Sequence, residues 1–201
     1  MESGLQLWVG LGNPGAGYSR NRHNIGYMAV EAIASCHGFA AWKAARFDGL
    51  VARGQISSPD KGVGSEIILL KPTGYMNQSG IAVAAALRYY RIKLDAVTVF
   101  HDELDLAPGR LRVKRGGGAA GHNGLRSIDQ CVGADYRRVR LGIGHPGAKE
   151  LVSPFVLGNF SPAETHWLSV FLQLISDNAP KLLTRDDQVF ATAIAVAQQK
   201  N

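Results

Sequence analysis

Apolar positions along the chain alternate between short runs and helical spacings. Short apolar or alternating runs predict strands at 5–11, 47–56, 66–70, 96–101, 110–115 and 137–143. Apolar residues at helical spacing predict helices at 24–37, 79–91, 123–132, 162–183 and 186–198, with a turn-rich segment at 57–64 and a flexible loop at 116–121. This alternation predicts an α/β fold. We expect a single domain over 1–201, with a twisted, mixed but mostly parallel central sheet, helices on both faces, and a helical C-terminal part from about residue 161.

Polar residues follow three of the predicted strands. Asn13 follows the first strand, Tyr75-Met76-Asn77 follows the third, and Asp102 ends the fourth. Asn123 lies where a glycine-rich loop meets a helix. Ligand sites in open α/β sheets lie beyond the carboxyl ends of the strands, so these side chains are expected to line one cleft. Asn and Asp also form turns, and for each residue alone that alternative stays open.

His23 lies in the polar stretch 18–24, between the first predicted turn and the first helix. Imidazole takes up a proton near neutral pH, and a carboxylate such as Asp102 would fix its tautomer and favour its charged form. His23 is therefore the candidate general base. For His101, inside an apolar strand, a core role is the better interpretation, while His122 and His145 in glycine-rich loops are possible supporting groups.

The motifs of several common hydrolytic mechanisms are missing. The sequence has no Gly-x-Ser-x-Gly elbow, no His-Glu-x-x-His and no P-loop. The run 101–105 holds enough carboxylates to suggest a magnesium-dependent phosphoesterase, but Asp102 and Glu103 should point to opposite faces of a strand. What remains is a His–Asp pair with amide side chains, which suits activation of water against a labile bond such as an ester.

A dinucleotide-binding site is the main competing interpretation. Gly10, Gly12 and Gly15 form a literal Gly-x-Gly-x-x-Gly after a strand, with Glu31 placed further on. The fingerprint needs a helix that opens directly on the pyrophosphate, whereas Pro14 and the polar stretch delay the helix here. The pattern therefore disfavours a nicotinamide-dependent oxidoreductase, which titration with NADH would test.

The amino-acid composition indicates the charge of the protein and the compartment in which it is expected. The formal charge is +6, and the segment 110–149 carries nine Lys or Arg against two acids, which fits either a solvated surface or a nucleic-acid partner. No apolar run approaches the roughly 20 residues of a spanning helix, and residues 1–6 lack the basic start of a secretory signal, so we expect a cytoplasmic protein that does not enter membranes. Cys36 and Cys131 form no Cys-x-x-Cys pair and are expected to be buried.

Several segments taken together resemble the bacterial peptidyl-tRNA hydrolase family. The matching motifs occur in the order and spacing of that family and cover most of the chain up to about residue 183. They are GLGNPG at 10–15, RHNIG at 22–26, KPTGYMNQSG at 71–80, HDELD at 101–105, GHNG at 121–124, RLGIGHPG at 140–147 and VLGNF at 156–160.

The resemblance implies an enzyme that hydrolyses the ester between a peptide and the terminal ribose of tRNA and needs no cofactor. We expect it to be a monomer and to use no metal. The resemblance also implies that His23 is the general base, that Asp102 keeps it basic, and that Asn13 distinguishes a peptide-like amine from a free one. The resemblance implies contacts to the 3′ end and peptide for Tyr18, Tyr75, Met76, Asn77 and Asn123.

The resemblance also gives the basic segment a role. Lys114 and Arg140 match positions that engage tRNA phosphates, and Arg112 stands where a lysine is also found. One departure is Ala119-Ala120, where many relatives have a loop richer in glycine or containing histidine; the two methyl groups should stiffen it. A tRNA-binding protein without catalysis stays an alternative, although the candidate catalytic residues are all present.

Overall fold

The computed structural model describes residues 4–57, 64–184 and 186–199 and places a seven-stranded sheet at the centre of the molecule. The strands are β1 Gln6–Gly10, β2 Lys43–Ala44, β3 Gly49–Ser57, β4 Gly64–Pro72, β5 Val97–Glu103, β6 Leu111–Arg115 and β7 Arg137–Gly142. The helices are α1 Ile25–Cys36, α2 Ser79–Tyr90, α3 Asn123–Val132, α4 Val152–Val156, α5 Thr165–Asn178 and α6 Asp187–Gln198.

The sheet is mixed, with a parallel centre. Its order is β2-β3-β4-β1-β5-β7-β6. The pairs β4–β1, β1–β5 and β5–β7 are parallel, whereas the pairs β2–β3, β3–β4 and β6–β7 are antiparallel. The predicted α/β class with a mostly parallel mixed sheet is confirmed.

Both faces of the sheet are covered because side chains alternate along each strand. Trp8 packs into the core formed with α1, α5 and α6, whereas Leu7 and Val9 pack into the core formed with α2 and α3. Helices on both faces, as predicted, leave only the ends of the strands open to a ligand. The carboxyl ends of β1, β4 and β5 therefore meet at one edge, where the polar residues lie.

The start of α1 packs with its backbone directly against the backbones of β1 and β5. A Cβ on Gly26 would lie 2.3 Å from the carbonyl oxygen of Phe100, and one on Gly10 would lie 2.4 Å from the carbonyl of Gly26. Only glycine fits such contacts. The 3₁₀ turn Arg22–Asn24, which carries His23, is thereby held against the end of β5.

The structure departs from the sequence prediction at a few places. The strand β2 and the helix α4 were not predicted, because two and five residues are too short for a periodic signal. The expectation that Cys36 and Cys131 are buried is wrong: both lie on the solvent side of their helices. The turn predicted at 57–64 falls largely outside the described residues. Across the segments described, every helix is too short or too polar to span a bilayer.

Candidate active site

An open cleft of about 940 Å³ lies at the carboxyl ends of β1, β4 and β5. Side chains from several distant segments meet there, as expected for the end of a parallel sheet. Of the predicted site residues, the cleft is lined by Asn13, His23, Tyr75, Met76, Asn77, Asp102 and Asn123. The structure thus brings together the strand-end residues that the sequence singled out.

His23 and Asp102 are in direct contact. The Nδ1 atom of His23 lies 2.8 Å from Oδ1 of Asp102, and both residues are buried. A carboxylate only accepts, so Nδ1 carries the hydrogen and Nε2 keeps its lone pair for the cleft. Burial alone would lower the pKa of His23, but the charge of Asp102 and its hydrogen bond prevail and raise that pKa above its usual value.

Asp102 has a second histidine partner, His122, at the start of α3. The Nδ1 atom of His122 accepts from the backbone N–H groups of Gly124 and Leu125 and caps the helix. Nε2 must then carry the hydrogen, and it lies 3.0 Å from the same Oδ1 of Asp102. Although burial acts to raise the pKa of Asp102, the two histidines hold it well below its usual range. Sequence analysis left His122 only as a supporting group, because its partner lies 20 residues away.

Asn13 is fixed by three hydrogen bonds. Its backbone N–H donates to Oδ1 of Asn24 and its carbonyl accepts from Nδ2 of Asn24, both at 2.9 Å. Its own Oδ1 accepts from the backbone N–H of Met76 at 2.8 Å. That bond decides the amide orientation, so Nδ2 of Asn13 is left as a donor in the cleft. Asn24 was not predicted from sequence, although it adjoins His23. We call Asn13, His23, Asn24, Asp102 and His122 the buried polar cluster.

The remaining candidates for substrate contact lie around this cluster. Tyr75 and Asn77 are exposed at the mouth of the cleft, and Met76 is buried beside it. Asn123 begins α3, with its Oδ1 accepting from Nη1 of Arg126 at 3.3 Å. Tyr18 lies in the turn Ala16–Tyr18 and is not among the residues that line the cleft. Its predicted contact to substrate stays a prediction.

The strands β6 and β7 carry four basic residues side by side, Arg112, Lys114, Arg138 and Arg140, which we call the basic face although Arg138 is buried beneath it. Arg112 lies opposite Arg140 and Lys114 opposite Arg138, so all four side chains emerge on one side of the sheet. Arg112 and Lys114 are exposed. The predicted tRNA-contact residues of this region are therefore neighbours in space.

Two acids hold the inner arginines of the basic face. The Nε atom of Arg140 donates to Oε2 of Glu103 at 2.8 Å, and Nη2 of Arg138 donates to Oδ1 of Asp129 at 2.9 Å. Glu103 also lines the cleft. Asp102 and Glu103 are adjacent and line the same cleft, but their partners differ: Asp102 contacts His23 and His122, and Glu103 contacts Arg140. The sequence did not predict the ion pair with Arg140, because the two residues come from different strands.

Metal-ligating side chains meet at one place among the described residues. One atom each of His23, Asp102 and His122 lies within 4.8 Å of the others. Nδ1 of His23 and Nε2 of His122 each already donate a hydrogen bond to Oδ1 of Asp102, and the backbone donors on Nδ1 of His122 keep its hydrogen on Nε2. A metal there would have to displace both hydrogens, so the donor set fits proton transfer better than metal binding.

Comparison with known proteins points to one family. The family model described as peptidyl-tRNA hydrolase matches residues 7–201. A peptidyl-tRNA hydrolase of Cereibacter sphaeroides is 55% identical over 97% of this chain and 84% of its own length, and one of Acidiphilium cryptum is 55% identical over 96% and 97%. The crystal structure of peptidyl-tRNA hydrolase from Acinetobacter baumannii superposes with a TM-score of 0.84 at 40% identity, covering 96% of both chains.

Proposed function

The chain belongs to the peptidyl-tRNA hydrolase family, and on that premise we propose that it hydrolyses the ester between peptide and tRNA with water activated by His23 and Asp102. The observation that carries the mechanism is the hydrogen bond from Nδ1 of His23 to Asp102 at the base of the cleft. It leaves Nε2 free to remove a proton from water. Water then attacks the ester carbonyl without an acyl-enzyme intermediate.

Asp102 and His122 prepare His23 for this step. Asp102 fixes the tautomer of His23 and stabilises the imidazolium that forms as water loses its proton. His122 shares the same carboxylate oxygen and is itself fixed as the cap of α3. The carboxylate is thus held from two sides and needs no reorganisation during the reaction.

Asn13 supplies the donor for the substrate. Its oxygen is bound to the N–H of Met76, and the residue lines the cleft, so we propose that its Nδ2 donates to the developing oxyanion or to a peptide-like carbonyl. Asn77 at the mouth of the cleft is the second amide that can serve the oxyanion. A free aminoacyl ester lacks the peptide carbonyl, which accounts for selectivity toward N-blocked substrates.

The basic face receives the tRNA in this proposal. The tRNA phosphates need clustered cations near the cleft, and Arg112, Lys114 and Arg140 supply them. The 3′ end of the tRNA and the peptide are contacted by Tyr18, Tyr75, Met76 and Asn123. Because every member of the buried polar cluster comes from one chain, we propose that a monomer suffices. Its substrate arises at the ribosome, and we propose that it acts in the cytoplasm.

The experiment follows peptide release from N-acetyl-aminoacyl-tRNA by the wild type and by His23→Ala. Wild type should release the acetylated amino acid, with little activity on unblocked aminoacyl-tRNA, and chelators should leave the rate unchanged. The rate should fall as pH drops through the raised pKa of His23, since the base must be neutral. Full activity of His23→Ala would overturn the mechanism, and loss of activity with chelator would overturn the metal-free proposal.

A further inference from the structure

Arg22, the residue before His23, makes more connections than a turn residue needs. Its backbone N–H donates to the carbonyl of Gly158 at 3.0 Å. Its Nη1 donates to the carbonyls of Asn159 at 3.0 Å and Phe155 at 3.4 Å, and its Nη2 donates to Oε2 of Glu164 at 2.7 Å. The side chain is only 13% exposed. One guanidinium therefore joins the turn that carries His23 to the segment between α4 and α5.

Aromatic rings and a helix cap reinforce this connection. The guanidinium carbon lies 4.4 Å from the ring centre of Phe155 and 5.4 Å from that of Phe160. Glu164 also accepts from the backbone N–H of Ser161, which closes the capping box before α5. Arginine is suited to such a position because its planar group stacks and forms several fixed hydrogen bonds at once.

The helix α4 forms an apolar side of the cleft. Val152 and Val156 of this helix and Leu157, the residue that follows it, line the cleft, and Leu157 is 44% exposed. Phe155, whose carbonyl and ring both contact Arg22, lies between them in the chain. Through Arg22, the position of this apolar side relative to His23 is fixed by direct contacts rather than by a long loop.

We infer that Arg22 is a positioning residue that sets substrate specificity: it holds α4 so that Val152, Val156 and Leu157 receive an apolar side chain of the peptide while the ester faces His23. The inference rests on the proposed function. The recognised group is the amino-acid side chain next to the ester, and the contact contributes to substrate binding rather than to proton transfer. A substrate without that side chain should not depend on Arg22.

The test uses one tRNA charged with either N-acetyl-leucine or N-acetyl-glycine. Because the tRNA is the same, its contacts contribute equally to kcat/KM for both esters and cancel in their ratio. In Arg22→Met, kcat/KM for the leucyl ester should fall about tenfold, mainly through KM, which is the lower end of what an apolar group contributes in a pocket. For the glycyl ester it should change less than about twofold. The acid limb of the pH profile should not move, because the His23–Asp102 contact is untouched.

Arg20→Met is the matched control, since Arg20 is exposed and its backbone carbonyl, which accepts from the N–H of Phe160, is kept in the variant. It should leave the leucyl-to-glycyl ratio at the wild-type value. Glu164→Gln removes one arm of the connection and should shift the ratio in the same direction as Arg22→Met, by less. It also keeps the test decisive if Arg22→Met does not fold.

Equal losses on both esters, or a displaced acid limb, would show that Arg22 acts on His23 or on folding and would overturn the inference. An unchanged ratio in both Arg22→Met and Glu164→Gln would overturn it as well. A wild type that cleaves neither ester contradicts the proposed function itself, whereas an active wild type with a ratio insensitive to Arg22 contradicts only the role of Arg22.

Discussion

The buried polar cluster and the basic face meet at Glu103, yet they are built in different ways. In the cluster, Asp102 serves two histidines with one oxygen, and Asn13 is held by three hydrogen bonds. On the basic face, Arg112 and Lys114 are exposed on an edge strand. Proton transfer needs fixed atoms, whereas a polyanion needs only charge at the right place. Changes should therefore be severe in the first region and graded in the second.

Among the residues that contact the substrate in this account, Asn13→Asp gives the largest expected effect. Aspartate keeps an acceptor for the N–H of Met76 but replaces the donor in the cleft by an oxygen. We expect kcat to fall about 10²–10³-fold, the range for loss of one oxyanion donor. Single-turnover rates on N-acetyl-aminoacyl-tRNA measure it. If Asn77→Asp reduced the rate more than Asn13→Asp, the oxyanion role would belong to Asn77.

His101, whose ring donates to the carbonyl of Asp102 beside the buried polar cluster, should set how stability depends on acid pH. Burial and the neighbouring His122 lower the pKa of His101 to about 3, whereas the unfolded chain binds that proton near pH 6.5. Between these values the unfolded state holds more protons, so the free energy of unfolding should fall with decreasing pH by up to about 1.4 kcal/mol per unit. Urea unfolding from pH 6.5 to 4 measures it.

His101→Asn is the matched variant for this pH dependence. Its amide can replace the donor that Nδ1 of His101 gives to the carbonyl of Asp102, but it does not titrate. The slope should become shallower in the variant. An identical slope in both proteins would show that other groups govern the acid side.

The salt dependence of tRNA binding should decrease each time a cation of the basic face is removed. Arg112→Ala and Lys114→Ala should each weaken tRNA binding to a similar degree for all tRNAs and reduce the slope of log K against log salt by about one. Arg140→Ala should weaken it further, because Glu103 is then left buried without its partner. Arg88→Ala is the control, because Arg88 is exposed on α2 and does not belong to the basic face. A slope that does not change in Arg112→Ala and Lys114→Ala would contradict their role.

The smallest effect is expected in the loop between the two regions. Ala120 has a φ of 47°, in the left-handed region that favours glycine. Ala120→Gly should therefore raise the free energy of unfolding by roughly 1 kcal/mol, and Gly121→Ala, at φ 81°, should lower it by a similar amount. Urea unfolding of the two variants measures both changes in the free energy of unfolding. Destabilisation by Ala120→Gly would contradict the argument from strain.

The two regions also differ in how far the sequence predicted them. The helix predicted at 123–132 has those bounds in the structure, and parallel strand ends do bring Asn13, Asn77 and Asp102 to one cleft. Asn24 and Glu103 were not assigned as partners, and His122 was predicted only as a possible supporting group. Their contacts lie 11, 20 and 37 residues away, so no local pattern reports them.

The central claim is that Asp102 raises the basicity of His23 and holds its tautomer, and the pH–rate profile of Asp102→Asn tests it most directly. We predict that kcat falls about 10²–10⁴-fold, the contribution typical of a positioned base. The acid limb of the remaining activity should move to lower pH, because the pKa of His23 loses the carboxylate that raises it. A variant with wild-type kcat, or with an acid limb that stays in place or moves to higher pH, would contradict the account.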